Sequence, residues 1–172
     1  MRFPRTIRLD SSDLQVFRRA AEPGEWAVPG SFVFHGRDPA KLEGKEKIAF
    51  HSGWLGTESF GHASLVEIAE IEEAAFFAVV ERLARHFVDH LGAPDLAAAL
   101  PAAREEADYA VGLCEHKLNS LLALERELVP QDAAEPALVE RFRVIQPERA
   151  ADHARIWEIV SDEEEKRETD GS

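Results

Sequence analysis

EEAAFFAVVERLARHFVDHL, residues 72–91, decides how this chain is read. Phe76, Val80, Leu83, Phe87 and Leu91 recur at steps of four, three, four and four, so they share one face of an α-helix. Arg82, Arg85 and Asp89 fall on the other side, giving one wet face and one core face. Gly92 follows, a residue that tolerates the left-handed conformation common just past a helix end. His86 and His90 stand one turn apart on this helix, the only metal-like spacing in the chain.

On its C-terminal side, Pro94-Asp95 opens a second helical region, with a restart at Pro101, a residue suited to a first helical turn. Ala103, Ala107, Ala110 and Cys114 line one face of it, a structural stripe that permits close packing. Residues 121–129 and 138–145 then alternate as two strands. Pairing them antiparallel sets Leu122 against Val144, Leu124 against Phe142 and Leu128 against Leu138. The same register sets Glu125 against Arg141 and Arg126 against Glu140, pairs expected to contribute ~0.2–1 kcal/mol each. A last strand is expected at residues 155–160, and residues 161–172 read as an acidic, disordered tail. Residues 1–160 form a single domain, with no internal repeat and no interdomain linker.

On its N-terminal side, residues 64–69 are strand-like, with Val66 and Ile68 on one face. Residues 6–9, 14–20, 26–28 and 31–34 read as short strands of a small antiparallel meander, with turns at residues 10–13, 22–25 and 29–30. Between them, Asp38-Pro39 marks a turn or helix start and residues 44–50 suit a short helix. Residues 53–61, GWLGTESFG, have no defensible period, and such a connection is either functional or conceals a short element.

Composition excludes several functions. With 45% hydrophobic residues, the 172-residue chain is globular and long enough for one core. Its net charge of −13 repels phosphate, which argues against nucleic acid and anionic lipid as partners. The single Cys114 forms no internal disulfide, no apolar leader is visible, and no apolar run approaches the ~20 residues that span a bilayer. A cytoplasmic location is the expectation.

The chemical motifs are incomplete. The first histidine of His86-Phe87-Val88-Asp89-His90 is not followed by the glutamate of a zinc protease motif, and spacing marks no third ligand. On a continuous helix Cys114 and His116 point about 200° apart, so they cannot converge on one substrate. Gly56 and Gly61 imitate a phosphate loop, but His62-Ala63 stand where lysine and a hydroxyl residue are required. Glu105-Glu106 read as solvated helix charges. The remaining candidate is the loop holding His51, Trp54, Thr57, Ser59, Phe60 and His62, whose aromatic, hydroxyl and imidazole groups suit a pocket rim or a partner contact. Within it, Phe60 is expected in the core and Trp54 at least partly exposed.

Residues 5–10 (RTIRLD), 20–34 (AAEPGEWAVPGSFVF), the 53–61 loop and 92–96 (GAPDL) resemble a family of small bacterial proteins catalogued as a domain of unknown function. The resemblance covers the chain to about Pro147 and leaves the acidic tail outside. It implies no activity, cofactor or functional residue.

The expected fold is therefore α+β, a mostly antiparallel sheet with the two central helices on one face. The leading expectation for function is a noncatalytic accessory subunit that meets another protein. The alternative is a small-molecule-binding protein or enzyme using residues 51–62, with a metal at His86 and His90. No cofactor is implied.

Overall fold

The computed structural model describes residues 1–147, 157–160 and 167–169. In chain order the elements are β1 (Arg2–Ile7), α1 (Ser12–Val16), β2 (Ala27–Val28), 3-10 helices at Ser31–Phe34 and Pro39–Lys41, α2 (Gly44–Ser52), β3 (Trp54–Gly56), β4 (His62–Ala63), β5 (Leu65–Glu70), α3 (Glu73–His90), α4 (Leu96–Gly112), β6 (Leu121–Gln131), β7 (Ala134–Pro147), β8 (Trp157–Val160) and β9 (Arg167–Thr169). They form two antiparallel sheets, a large one in the order β1-β5-β6-β7-β8 with β9 also on β7, and a small one in the order β2-β3-β4. The fold is α+β. No helix among the described residues is long and apolar enough to cross a membrane.

The small sheet is an inner layer. Ala27 and Trp54 point toward Val66, Ile68, Leu122, Leu124, Phe142 and Val144 of the large sheet. Their neighbours Val28 and Leu55 point the other way, into the contact with Phe3, α3 and α4. Period-two alternation thus buries both faces of these short strands. A bridge between Arg5 and Trp26 joins the two sheets.

The central helix buries Phe76, Val80, Leu83 and Phe87, together with Val79 and Ala84. Leu91, the last member of the stripe, is 42% exposed because it caps the helix, and Gly92 at φ 78° turns the chain away. The second helix begins at Asp95, whose carboxylate accepts the Ala98 N–H at 2.7 Å. It does not restart at Pro101: a proline this near the N-terminus forfeits one hydrogen bond and the helix runs through it. Ala103, Ala107, Ala110 and Cys114 are all buried.

Two N-terminal expectations are corrected. Residues 14–20 are not a strand: Asp10 accepts the Ser12 N–H at 2.8 Å in a local turn, Asp13 accepts from the distant Ser64, and Ser12–Val16 form α1 instead. Residues 31–34 form a 3-10 turn after Gly30 at φ 75°. That turn sends Phe32 to the helices and Phe34 to a third cluster with Phe17 and Phe50. A strand would put both on one face. There is consequently no N-terminal meander, and β2 pairs with β3 from the unpatterned loop, with Val28 opposite Leu55. The second 3-10 helix and α2 lie where Asp38-Pro39 and residues 44–50 suggest.

The β6–β7 register is the one the sequence implies, from Leu122 opposite Val144 to Leu128 opposite Leu138. Its two charge pairs differ in kind. On the wet face Glu125 lies opposite Arg141, but Arg141 bonds diagonally to Glu127. Arg126 and Glu140 are both 0% exposed, on the inner face between the apolar pairs Leu124–Phe142 and Leu128–Leu138. Arg126 Nε lies 3.3 Å from Glu140 Oε1, while its other nitrogens donate to the carbonyls of Phe50 (2.8 Å) and Pro29 (2.7 Å). The guanidinium sits 5.8 Å from the Phe34 ring and 5.9 Å from the Phe50 ring. This pair lies beyond the surface-pair magnitude expected of it, because desolvating each ion costs several kcal/mol before any attraction is gained.

Toward the C-terminus, Trp157–Val160 forms the expected strand on β7, while residues 155 and 156 lie outside the described residues. Of the expected tail, Arg167–Thr169 pairs with β7 opposite residues 138–140, and the rest lies outside the described residues.

Glu140→Ala leaves the Arg126 charge in the core without its carboxylate and is expected to lower the unfolding free energy by about 3–5 kcal/mol. Arg126→Met combined with Glu140→Leu should lose clearly less, since no charge then remains. Denaturant unfolding checks both; equal losses would show that Glu140 is not what holds Arg126.

Candidate functional site

The loop singled out from the sequence is built around a buried carboxylate. Glu25 accepts the Glu22 N–H at 2.5 Å, the Glu58 N–H at 3.0 Å, the Ser59 N–H at 2.6 Å and the Ser59 hydroxyl at 2.7 Å. A side chain at Gly56 would meet Glu25 Oε1 at 2.7 Å, so glycine serves close approach there. Thr57 is buried, and both its N–H and its hydroxyl donate to the Trp26 carbonyl at 2.8 Å. Arg82, expected on the wet face, donates to the Thr57 carbonyl at 3.0 Å and fastens the loop to α3.

The two loop aromatics exchange their expected places. Trp54 is 0% exposed, with its ring 5.6 Å from Phe142 in the core between the sheets. Phe60 is half-buried at φ 54° and stacks on His86, centroids 4.0 Å apart and planes 8° from parallel. The reason is topological: once residues 54–56 form a strand of the inner layer, alternation aims Trp54 at the large sheet. Phe60 lies in the turn before β4 and meets α3 instead.

The histidines divide among three settings. His51 is exposed at the end of α2, and its Nδ1 donates to the Arg126 carbonyl at 2.8 Å. His62 lies between the rings of Phe17 (5.8 Å) and Phe34 (6.2 Å). Burial, and next the Arg126 charge, push its pKa down to about 4, so it is neutral at pH 7. His86 and His90 lie 4.6 Å apart. Burial lowers the pKa of His86, with the His90 charge adding to it and Asp89 opposing. Among the described residues no group of three His, Cys, Asp or Glu side chains is placed to hold a metal ion.

A cleft of about 590 Å³ opens beside this pair. Phe32 and His35 wall it on one side; Phe87, His90, Leu91, Gly92 and Ala93 close the α3 side; Ala98, Ala99, Ala102 and Glu106 of α4 complete it. Phe32 and Phe87 meet edge to face at 4.8 Å. Glu106 is 6% exposed, and its Oε1 accepts the Gly30 N–H at 3.1 Å. The volume lies within the ~300–1,000 Å³ usual for small-molecule sites, and the mostly apolar walls with a few polar groups suit one.

A family model described as a family of unknown function (DUF6505) matches residues 1–161. The chain belongs to that family. The match runs past Pro147, where the sequence resemblance ends, and includes β8. No curated protein and no solved structure matches the chain.

Of the residues proposed from sequence, the structure brings His86 and His90 together beside the cleft, and only His90 lines it. His51 and His62 lie by the buried arginine, while Trp54, Thr57 and Ser59 hold the loop together. Phe32 and His35 escaped the sequence reading, and Glu106, expected there as a solvated helix charge, is instead buried. For Glu106 a signal existed: it falls three residues after Ala103 and four before Ala110, within the buried stripe of α4. His35 lies in a stretch without period and offered none.

Trp54→Ala is expected to cost about 3–5 kcal/mol in denaturant unfolding, as for a large aromatic removed from a core. His62 yields a pH prediction. Its pKa falls from 6.5 to about 4 on folding, so the unfolded chain binds the proton more tightly. Its stabilisation is complete above pH 6.5 and lost as pH falls toward 4, about 3 kcal/mol in all. His62→Phe should therefore show a shallower acid loss across that window in unfolding measured against pH; parallel profiles would refute the assignment.

Proposed function

We propose that this protein is a cytoplasmic accessory protein that acts by binding, without catalysis, and that a small molecule occupies the cleft between the Ser31–Phe34 turn, the end of α3 and α4. The single observation supporting the reading is the composition of that cleft. Leu91 belongs to the apolar stripe of α3 yet faces open space, and alanines on α4 leave room where larger side chains would close the gap. Burying apolar ligand surface against such walls yields ~25 cal/mol per Å². His35, His90 and Glu106 supply the polar contacts that orient a ligand.

A protein partner, the leading expectation from sequence, draws support from a different point. Phe77 is 48% exposed on α3, with the Arg104 guanidinium 5.7 Å from its ring. Exposed aromatic and arginine side chains are the types that anchor interfaces.

Ala102 is exposed and lines the cleft, so Ala102→Phe should fill it without entering the core. The variant is expected to keep its unfolding free energy within ~0.5 kcal/mol, as surface changes do. Binding of an environment-sensitive apolar dye should weaken by at least ~tenfold, a loss of ~1.4 kcal/mol. Undiminished dye binding would remove the cleft as the site.

A further inference from the structure

We propose that His86 and His90 chelate a divalent transition-metal ion of the nickel or copper kind at the rim of the cleft, through one nitrogen of each ring. The cleft reading is not required for this site, which consists of the two side chains alone.

The spacing of the rings leads to it. The two residues stand four apart on α3, so both side chains leave the same face of the helix one turn from each other. Their ring centroids are 4.6 Å apart and their planes 41° from parallel. A bound imidazole nitrogen lies about 2.0–2.1 Å from such a metal, which puts the ring centroid roughly 3.2 Å from it. Two rings at a ligand angle of about 90–110° then stand about 4.5–5.2 Å apart. The 4.6 Å separation lies at the right-angle end of that range. Right angles separate neighbouring positions of a square-planar or octahedral ion, the geometries that nickel and copper take.

The rings are also held in place and uncommitted. His86 lies flat on Phe60, centroids 4.0 Å apart and planes 8° from parallel, and the Phe32 ring stands 6.3 Å away. Phe60 presents its ring from a left-handed backbone at φ 54°, a rare conformation for a non-glycine residue and of the kind that clusters at functional sites. Among the described residues no hydrogen bond engages a ring nitrogen of His86 or His90, whereas Nδ1 of His51 is committed to the Arg126 carbonyl. The two arginines on this part of α3 are each met by a carboxylate, Arg85 by Glu81 at 3.1 Å and Arg82 by Glu58 at 4.0 Å. The net charge of −13 draws a dication toward the protein.

No third His, Cys, Asp or Glu joins the pair among the described residues. The chain thus supplies two ligands, and water or a small molecule fills the other positions. Such an ion exchanges with solvent, unlike a structural zinc sealed by four protein ligands. The donor set also selects the class of metal, since imidazole suits nickel, copper and zinc, whereas magnesium and calcium take oxygen.

The test uses Ni2+, titrated into the full chain at about pH 8 by calorimetry and followed by the imidazole resonances. One saturable site is expected. His86→Gln and His90→Gln should each weaken it at least ~tenfold, and the double variant should lose little more, because a chelate needs both rings. Paramagnetic Ni2+ should broaden the His86 and His90 ring signals before those of the other histidines, and Mg2+ in ~tenfold excess should not restore them. No saturable binding below ~1 mM, binding indifferent to His90→Gln, or earliest broadening at another histidine overturns the proposal. A double variant that loses a further ~tenfold would reveal two separate one-ring sites and overturn the chelate. Displacement by Mg2+ overturns the class of metal. His90 is exposed, so His90→Gln decides the matter even where His86→Gln, which removes the stack on Phe60, does not fold. None of these failures touches the cleft reading, which Ala102→Phe tests separately.

Discussion

Arg126 is charged, fully buried, and holds three separate parts of the chain in place. Its guanidinium binds Glu140 on the neighbouring strand, the last turn of α2 through the Phe50 carbonyl, and the turn after β2 through the Pro29 carbonyl. Its own carbonyl receives His51. An arginine suits this duty because five donors in a rigid plane can satisfy several acceptors while the faces of the plane rest near aromatic rings. Here those rings are Phe34 and Phe50. A hydrophobic pair could equal the stability of such a cluster but not its directionality, since apolar contacts do not require particular carbonyls to lie at particular points.

From that centre the geometry propagates to the surface. The Pro29–Gly30 peptide is held at its oxygen by Arg126 and at its nitrogen by Glu106, so the turn at Ser31–Phe34 has a fixed starting point. Phe32 in that turn then packs on Phe87 and forms one wall of the cleft. Glu25 performs a similar task one layer away, gathering donors from residues 22, 58 and 59 and so closing the loop onto the small sheet. Two buried carboxylates and one buried guanidinium thus organise segments that have little regular secondary structure of their own. Their burial is tolerable because each is met by hydrogen-bond donors or acceptors aimed at it.

The site was less legible than the fold, for identifiable reasons. The polar and aromatic residues of the 51–62 loop looked like a rim because nothing local pairs them; their partners are Trp26, Glu25, Phe142 and Arg126, all distant in sequence. Trp54 and Phe60 could not be sorted before the strand at Trp54–Gly56 was known, since the direction of a side chain depends on the backbone that bears it. The cleft draws on three elements, and no single stretch shows a concavity between them. Glu106, a charge inside the alanine stripe of α4, reads from sequence as solvated, and only the packing of α4 against the Gly30 turn buries it.

By itself the sequence determined whatever rests on local period and neighbouring caps. That includes α3 with its glycine stop, α4 with its alanine face, and the β6–β7 hairpin with its register. These signals survive because an amphipathic helix or a hairpin repeats its buried face every few residues. Alternation also assigned Arg126 and Glu140 to the face of Leu122, Leu124, Phe142 and Val144. Tertiary structure alone decided that this end of the face is sealed by α2 and the Pro29 turn, turning a cross-strand pair into a buried ion pair. It likewise decided the fate of the N-terminal third, where short apolar runs suit strand or turn equally and partners more than twenty residues away choose between them. The energy of burial depends on what arrives from elsewhere in the chain, and local pattern does not encode that arrival.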